Sequence, residues 1–365
     1  MDYVVRSYQP GDEERILDLL NLVFANWPDF DLGCSSLDHW NWKYFGNPLK
    51  TVLISVAVAD GKIIGCQHSI PRKMQVAGKT FYSCFTPDLA VHADYRKLGV
   101  SDALVDHVNA ARADAGYAFS YIETEVPFLM KVYSSRLPRL PVEILHYMRI
   151  KNIGLHFRQK SYDNPRLKKA GLRTLKPFQF ASSALAKTRS ARSRFQINRI
   201  DSFDDRMEPF WEEAKAGHIF IGHRAKDYLN WRYCNPKGGS YEIRRLEDEK
   251  RVWGYSVLRI NRFNENYPEG YVMDLLSLPA RREAPKFLIS DAIRYFDQNK
   301  VNVIHCLAIK GHPLERVLKR HGFVNTKRKV MALYEPFVDV SGEMSRVAAS
   351  RSSRQFFSYG DIDTI

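Results

Sequence analysis

The sequence predicts an α/β protein of the α+β type, with two domains that each contain a mixed, mostly antiparallel sheet flanked by helices. The chain has 365 residues, 45% of them hydrophobic, which is more than one ordinary hydrophobic core requires. Strand-like runs and amphipathic helical segments follow one another in both halves. The uncommon phrase NWKYFGNP, which begins at Asn41, recurs as NWRYCNP from Asn230, and this recurrence indicates a duplicated unit.

Basic residues are concentrated between the two halves. The formal net charge is +14, and residues 151–199 contain thirteen basic residues and one acid. Because this segment lacks the apolar periodicity of its flanks, we interpret it as a connector with one helical stretch near Leu167–Leu175. The predicted organisation is a first domain at 1–150, this connector, a second domain at 200–338 and a tail at 339–365.

The connector has two interpretations. It is either a solvated linker or a contact for an anionic surface, such as phospholipid headgroups or a phosphorylated acceptor. Nucleic acid is not favoured, because the sequence has no zinc-finger, helix-turn-helix or RNA-binding sheet motif. The sequence also has no signal-peptide pattern, no membrane-length apolar run and no CxxC pair among its five cysteines. We therefore expect a cytoplasmic protein with reduced thiols and no metal site.

Apolar periodicity and turn residues define the elements of the first half. Residues 3–9 read as a strand, and a helix follows with an apolar stripe from Ile16 to Val23. Asp60-Gly61 lies between two apolar runs and predicts a hairpin. Next come a strand, a loop around Arg96, a helix, the strand FSYIETEVP and the short helix FLMKVYSSRL.

The loop YRKLGVSDAL is the chemically informative part of this half. It stands directly after the apolar strand Leu89–Val91 and directly before a helix. The NH groups of a helix's first turn, together with the positive end of its dipole, bind phosphate well. Gly99 allows close approach and unusual backbone angles, Arg96 adds a charge-assisted contact, and Ser101 keeps the turn small. The loop therefore predicts a cradle for a diphosphate.

This loop resembles the signature of the GNAT superfamily of acyl-coenzyme A (acyl-CoA) N-acyltransferases, which reads Arg or Gln, x, x, Gly, x, then Gly or Ala. Residues 96–101 (RKLGVS) match it with serine in the last position, and the resemblance covers residues 3–150. It implies acetyl-CoA or another acyl-CoA as co-substrate, with the diphosphate on the loop and the pantetheine arm along the preceding strand. The implied binding residues are Leu89, Ala90, Val91, Arg96, Lys97, Leu98, Gly99, Val100, Ser101 and Asp102.

The resemblance also implies that an amine attacks the thioester directly, which requires a base for the amine proton and an acid for the thiolate. Tyr133 occupies the position where the family commonly places the acid, on the short helix after the fifth strand. Asp88 lies on a strand where many relatives carry an acid, and Glu123 and Glu125 share one face of the next strand. These three carboxylates are the alternatives for the base.

The second half aligns with the first but differs at the loop. Asp274 aligns with Asp88, and the segment EAPKF replaces the region of Gly99. Here Pro285 has no NH group, and Glu283 adds a charge that repels phosphate. The second copy is therefore expected to keep the fold without binding the cofactor, and to close the acceptor cleft as in transferases built from tandem GNAT-like domains.

Two further segments have alternative interpretations. The repeated phrase is either a shared scaffold element, through Trp42 and Trp231, or part of an acceptor pocket lined by Trp27, Phe30, Trp40 and Trp42. The tail at 356–365 either folds back over a cleft or remains frayed.

The predicted function is an N-acyltransferase that moves an acyl group, preferably acetyl, from acyl-CoA to a primary amine of a small polar acceptor such as an amino sugar or sugar nucleotide. One alternative is a transferase of the peptidoglycan-bridge type that uses aminoacyl-tRNA. The other is a non-catalytic module that binds anionic membrane or RNA.

Overall fold

The computed structural model describes residues 2–25, 27, 28, 30–159 and 195–362. The predicted helix near Leu167–Leu175 and most of the connector lie outside these residues. Of the predicted tail, residues up to Ile362 are described.

The first half begins with a strand and two helices and continues with strands interrupted by short helices. Its elements are β1 (Val4–Ser7), α1 (Glu13–Phe24), α2 (Ser36–Tyr44), β2 (Ile54–Ala59), β3 (Lys62–His68), β4 (Ile70–Val76), β5 (Lys79–Phe85), β6 (Ala90–Val91), α3 (Val100–Asp114), β7 (Phe119–Thr124), α4 (Pro127–Ser134), β8 (Ile144–Ile150) and α5 (Ile153–Gln159).

The second half has a similar order. Its elements are β9 (Gln196–Ile200), α6 (Met207–Gly217), β10 (Phe220–Gly222), α7 (Lys226–Leu229), β11 (Glu242–Glu247), β12 (Val252–Asn261), β13 (Glu269–Ser277), α8 (Ala284–Gln298), β14 (Val303–Ile309), α9 (Pro313–Arg320), β15 (Val324–Pro336) and α10 (Ser341–Ala348).

Local sequence signals account for several of these boundaries. Asp60 and Gly61 have positive φ angles of 49° and 72° and form the turn of the predicted hairpin between β2 and β3. A turn with two positive φ angles matches the right-handed twist of the strands that it connects. The side chain of Ser35 accepts a hydrogen bond from the Asp38 NH and caps α2. Pro127 stands in the first turn of α4, where a missing NH costs nothing.

The strands form a small antiparallel sheet and a large mixed, mostly antiparallel sheet, which confirms the predicted α+β class. The small sheet has the order β1-β2-β3-β6, and the large one has the order β10-β4-β5-β7-β15-β8-β14-β13-β12-β11-β9. The parallel neighbours are β5 with β7 and β13 with β14. Each parallel pair is joined by a crossover helix, α3 or α8, because parallel strands need a long connection. The two halves therefore repeat one strand-helix-strand unit.

Strands from the two halves share the large sheet. Strand β15 lies between β7 and β8, with Leu333 opposite Ile122 and Val330 opposite Ile144. Strand β8 in turn pairs along its length with β14. The halves therefore cannot separate without breaking main-chain hydrogen bonds, and the domain boundaries at 150 and 200 remain a prediction.

The repeated phrase lies at a symmetrical contact between the halves. Trp42 and Trp231 stack with ring centroids 5.3 Å apart. The Trp42 indole NH donates to the Trp231 carbonyl at 2.9 Å, and the Trp231 indole NH donates to the Trp42 carbonyl at 3.1 Å. Both rings are buried. This reciprocal geometry supports the interpretation of the phrase as a scaffold element between the two halves of the chain.

The described part of the tail folds into the core. Phe356, Phe357 and Ile362 are buried. Asp361 accepts a hydrogen bond from the Arg224 guanidinium at 2.7 Å, and the same guanidinium donates to Asp274 at 2.8 Å. All three charged side chains are fully buried. A buried charge needs a partner, so this ion pair network fixes the tail against the second half.

Candidate active site

The first half contains an opening between two strands that diverge. Strand β7 runs parallel to β5 from Ser83 to Phe85, whereas β6, the continuation of β5, pairs with β3 in the other sheet. The bend between β5 and β6 contains Asp88, whose φ is 52°. Because β6 belongs to the small sheet and β7 to the large one, the two strands diverge and a groove opens between them.

The loop before α3 contains main-chain NH groups that have no protein acceptor among the described residues. Gly99 caps the helix with a φ of 78°. A side chain there would meet nothing closer than the Tyr3 hydroxyl, at 3.7 Å. In the described parts of the chain, the NH groups of residues 98–102 donate to no protein acceptor, and the first engaged one is Ala103, which donates to the Gly99 carbonyl at 3.0 Å. This arrangement fits an anion such as a diphosphate.

Two charged side chains of this region are already engaged. Arg96 donates through Nε to the Val91 carbonyl at 3.3 Å, so it folds back over the end of β6. Asp102, in the first turn of α3, pairs with Arg136 after α4 at 3.1 Å, and both side chains are exposed. Arg136 therefore offsets the negative charge that Asp102 adds beside the NH groups.

The corresponding loop of the second half offers no such donors. The NH groups of Ala284 and Lys286 donate to Arg281 and Glu283 carbonyls at 3.0 Å, and Phe287 also donates to Glu283, at 3.3 Å. Pro285 has no NH. The first turn of α8 therefore has no donor left for phosphate, in agreement with its sequence.

A cavity of about 910 Å³ lies where the groove meets the second half. Asp88, Leu89, Glu123, Glu125 and Tyr133 all line it. The opposite wall comes from strands β8, β13, β14 and β15, and the tail contributes Tyr359 and Ile362. The cavity is therefore built from both halves of the chain, and the catalytic candidates of the sequence are gathered in it.

The other candidates lie outside this cavity wall. Ala90 and Val100 are buried, whereas Arg96, Lys97 and Gly99 are exposed on the loop. Within the described residues, the aromatics of the alternative pocket do not line the cavity. They are Trp27, Phe30, Trp40 and Trp42, and all four are buried.

Asp88 is held by three donors from the first half. Its carboxylate accepts hydrogen bonds from Lys43 Nζ at 2.7 Å, from Trp27 Nε1 at 3.1 Å and from the Tyr44 hydroxyl. Burial would raise the pKa of Asp88, but the charges of Lys43 and His68 and the hydrogen bonds outweigh it and lower this pKa to about 2. A carboxylate with so low a pKa is a poor proton acceptor at neutral pH.

We expect the Asp88 ion pair to make stability depend on acid pH. The folded pKa of Asp88 is lowered, so its contribution is present above the unfolded value of about 3.9 and is lost as pH falls toward about 2. Between pH 5 and pH 2 the free energy of unfolding should therefore fall by about 2 kcal/mol less in Asp88→Asn than in the wild type. Urea titrations at each pH measure this, with the exposed Asp18→Asn as control. Equal pH slopes in the wild type and in Asp88→Asn would contradict the assignment.

The pKa values of Glu123 and Tyr133 are shifted in the opposite direction from that of Asp88. Burial and the charge of Glu125 raise the pKa of Glu123 to about 8. Burial also raises the pKa of Tyr133, so its phenol stays protonated in the cavity. Glu125 is more exposed and lies 3.6 Å from the guanidinium of Arg328. At neutral pH both groups hold their protons, and above about pH 8 Glu123 ionises while Tyr133 stays protonated, which makes them a base and an acid candidate in one cavity.

Sequence reasoning missed the polar side chains of the opposite wall. His146, Glu269, Tyr271, His305 and Thr326 line the cavity from four strands. Polar residues that interrupt apolar strands, such as histidine in ILHYMRI and VIHCLAI, were the available signal. Only the strand pairing shows that they meet.

Residues 4–136 match the sequence model of the acetyltransferase (GNAT) domain. This part of the chain is a GNAT domain. The match confirms the predicted family and the predicted enzyme class, an acyl-CoA-dependent N-acyltransferase. No curated protein sequence matches the chain.

Solved structures share the fold well beyond the GNAT domain. A GCN5-related N-acetyltransferase from Anabaena variabilis has a TM-score of 0.62 at 9% identity, covering 92% of this chain and 73% of that one. Saccharomyces cerevisiae N-myristoyltransferase with bound myristoyl-CoA has a TM-score of 0.63 at 13% identity, covering 92% and 79%. Such low identities show the fold alone, and that fold includes the second half. Among the described helices, none has the length and apolar character to cross a bilayer.

Proposed function

We propose that this protein transfers an acyl group, preferably acetyl, from acyl-CoA to a primary amine of a small polar acceptor such as an amino sugar or sugar nucleotide. One observation carries the proposal: the free NH groups of residues 98–102 at Gly99 stand next to a groove that leads into a cavity holding Tyr133 and Glu123. The GNAT domain supplies the reaction class.

The first substrate would be held by main-chain groups. The NH groups of residues 98–102 would bind its diphosphate, since they have no protein acceptor within the described residues. Its pantetheine arm would follow Leu89–Val91, where β6 leaves an edge toward the groove. Main-chain donors along that edge would stabilise the negative charge that develops on the thioester oxygen.

The transfer itself needs one proton acceptor and one donor. The amine nitrogen attacks the thioester carbonyl, its proton goes to Glu123, and the departing thiolate takes a proton from the Tyr133 hydroxyl. Among the three carboxylates, Glu123 is favoured over Asp88, which is neutralised by Lys43. Glu125 is favoured less because Arg328 lies beside it.

We further propose that the chain contains two copies of one fold, and that the second copy closes the acceptor side without binding acyl-CoA. The matching crossover units, the reciprocal tryptophan contact and the occupied NH groups of α8 support this. For the connector at 151–199 we retain contact with an anionic surface as the proposal, because of its positive charge.

The proposed function is tested by mass spectrometry of the purified protein for bound acyl-CoA, followed by an amine panel assayed for release of free thiol. We expect release of free thiol that requires both the amine and an intact GNAT domain. Acylation of the amine that requires aminoacyl-tRNA and releases no thiol from acyl-CoA would overturn the proposal in favour of the peptidoglycan-bridge type of transferase.

The base assignment predicts an alkaline rate profile. Glu123 accepts a proton only when ionised, and its pKa is raised to about 8, so kcat/KM for the amine should rise with pH and level off above about pH 8. Glu123→Gln should lower kcat/KM by roughly a hundredfold on the plateau and remove this rise. The exposed Glu143→Gln serves as control. A rise of the same shape in Glu123→Gln would exclude Glu123 as the base.

A further inference from the structure

A row of four polar side chains crosses the cavity wall opposite the GNAT groove. Thr326 Oγ1 lies 2.8 Å from His146 Nδ1, and His146 Nε2 lies 3.1 Å from His305 Nδ1. His305 Nε2 lies 3.0 Å from Glu269 Oε2. All four side chains line the cavity. The row therefore connects a hydroxyl to a carboxylate through two imidazoles.

The strand order of the large sheet creates this row. His146, His305 and Glu269 come from the neighbouring strands β8, β14 and β13, and Thr326 lies in the irregular part of β15 beside β8. The His305 ring is held from two directions, since it stacks on Tyr271 with ring centroids 4.8 Å apart and lies edge to edge with the nearly parallel His146 ring. These rings are thus held in hydrogen-bonding positions before any substrate binds.

The distances allow two complete proton arrangements. In the first, the Thr326 hydroxyl donates to His146 Nδ1, His146 Nε2–H donates to His305 Nδ1, and His305 Nε2–H donates to Glu269. In the second, His146 carries its proton on Nδ1 and donates to Thr326, while His305 carries protons on both nitrogens. The Thr326 hydroxyl then donates to the His146 carbonyl, 3.3 Å away. The second arrangement contains one proton more than the first.

We propose that this row is a proton relay that receives the proton of the acceptor amine at Thr326 and stores it on His305. The proton leaves the amine nitrogen for Thr326 Oγ1, the Thr326 hydroxyl proton moves to His146 Nδ1, and the His146 Nε2 proton moves to His305 Nδ1. This converts the first arrangement into the second and places the new positive charge beside the Glu269 carboxylate. The relay rests on the proposed function. A primary ammonium loses two protons on becoming an amide, and the relay takes the first of them while Glu123 takes the second.

The electrostatics of the wall agree with this distribution of charge. Burial, His305 and Arg328 lower the pKa of His146 to about 3, so His146 passes a proton on without staying charged. The titratable groups facing His305 are His146, Glu269 and Tyr271. Glu269 is the acid among them, and Tyr271 also donates to its Oε2 at 3.3 Å. The stored charge on His305 therefore lies beside the Glu269 carboxylate, 3.0 Å from it.

The relay explains why the row begins with a hydroxyl. A threonine hydroxyl both accepts and donates, so it can take one proton while it gives another. Hydroxyl groups generally take part in proton transfer through contact with a histidine, and a third group orients that histidine.

The relay is tested by kinetics with acetyl-CoA and the best amine of the panel. Thr326→Val and His305→Gln should each lower kcat by about a hundredfold, with KM for acetyl-CoA unchanged, and Thr326→Ser should restore turnover. The controls are Thr80→Val and His321→Gln, which carry the same changes outside the cavity. Turnover of Thr326→Val equal to that of Thr80→Val would overturn the relay.

Nitrogen-15 NMR of the imidazoles supplies a readout that does not require turnover. We expect His146 protonated on Nε2 in the wild-type protein and a changed tautomer balance in Thr326→Val. Resting His146 protonated on Nδ1 would mean that the row is already filled, and would also overturn the relay. If the wild-type protein shows the expected tautomer but acylates no amine, the result would instead count against the proposed function.

Discussion

Gly99→Pro is expected to abolish the rise in melting temperature that acetyl-CoA produces in the wild type. At 100 times its dissociation constant a ligand stabilises the folded state by about 2.7 kcal/mol. Proline cannot adopt the φ of 78° found at Gly99, and it removes one of the NH groups assigned to the diphosphate. The melting curve with and without acetyl-CoA measures the effect directly.

Two further glycine variants make this result specific. Gly116 ends the same helix α3 with a φ of 77°, so Gly116→Pro introduces comparable strain away from the loop and should keep the acetyl-CoA shift. The methyl group of Gly99→Ala would make only an ordinary contact with the Tyr3 hydroxyl, at 3.7 Å, and the variant retains its NH, so it should lose about 1 kcal/mol of stability while still responding to the ligand. A normal shift in a folded Gly99→Pro would remove the loop from the binding site.

Tyr133→Phe is expected to lower kcat by roughly a hundredfold or more, because a general acid contributes about 10² to 10⁴ to the rate. The binding of acetyl-CoA should change little, since phenylalanine keeps the ring that contacts the cavity. Burial raises the pKa of Tyr133, so the phenol holds its proton until the thiolate forms. Stopped-flow measurement of thiol release with saturating amine gives kcat.

A control must show that the loss of a tyrosine hydroxyl outside the cavity does not lower kcat. Tyr82 is 49% exposed on β5 and does not line the cavity, so Tyr82→Phe is the matched control and should keep full turnover. An unchanged kcat in Tyr133→Phe would assign the protonation of the thiolate to another group. A raised dissociation constant with normal kcat would make Tyr133 a binding residue.

The local elements of the fold were accessible from the sequence because their signals are local. Alternating apolar residues and the Asp60-Gly61 turn predicted the β2–β3 hairpin, and the loop at Gly99 predicted the start of α3. The loss of one phosphate donor in the second half also followed from a single residue, because Pro285 lacks an NH in any conformation. These features depend on residues only a few positions apart.

The sequence was not sufficient to choose the general base among the three candidate carboxylates. Asp88, Glu123 and Glu125 were equivalent alternatives until their neighbours were known. Lys43, 45 residues earlier, lowers the pKa of Asp88, whereas burial raises that of Glu123. The proton affinity of a side chain depends on charges within a few ångströms and on burial, and neither is readable from spacing along the chain.

By itself, the sequence determined the α+β class, the duplicated phrase and the GNAT signature, and it predicted the loop at which a diphosphate would bind. The tertiary structure alone decided that β15 enters between β7 and β8, and that His146 meets His305 across 159 residues. The physical reason is that periodicity fixes which face of a strand is buried, while the choice of strand neighbour depends on packing between distant parts of the chain.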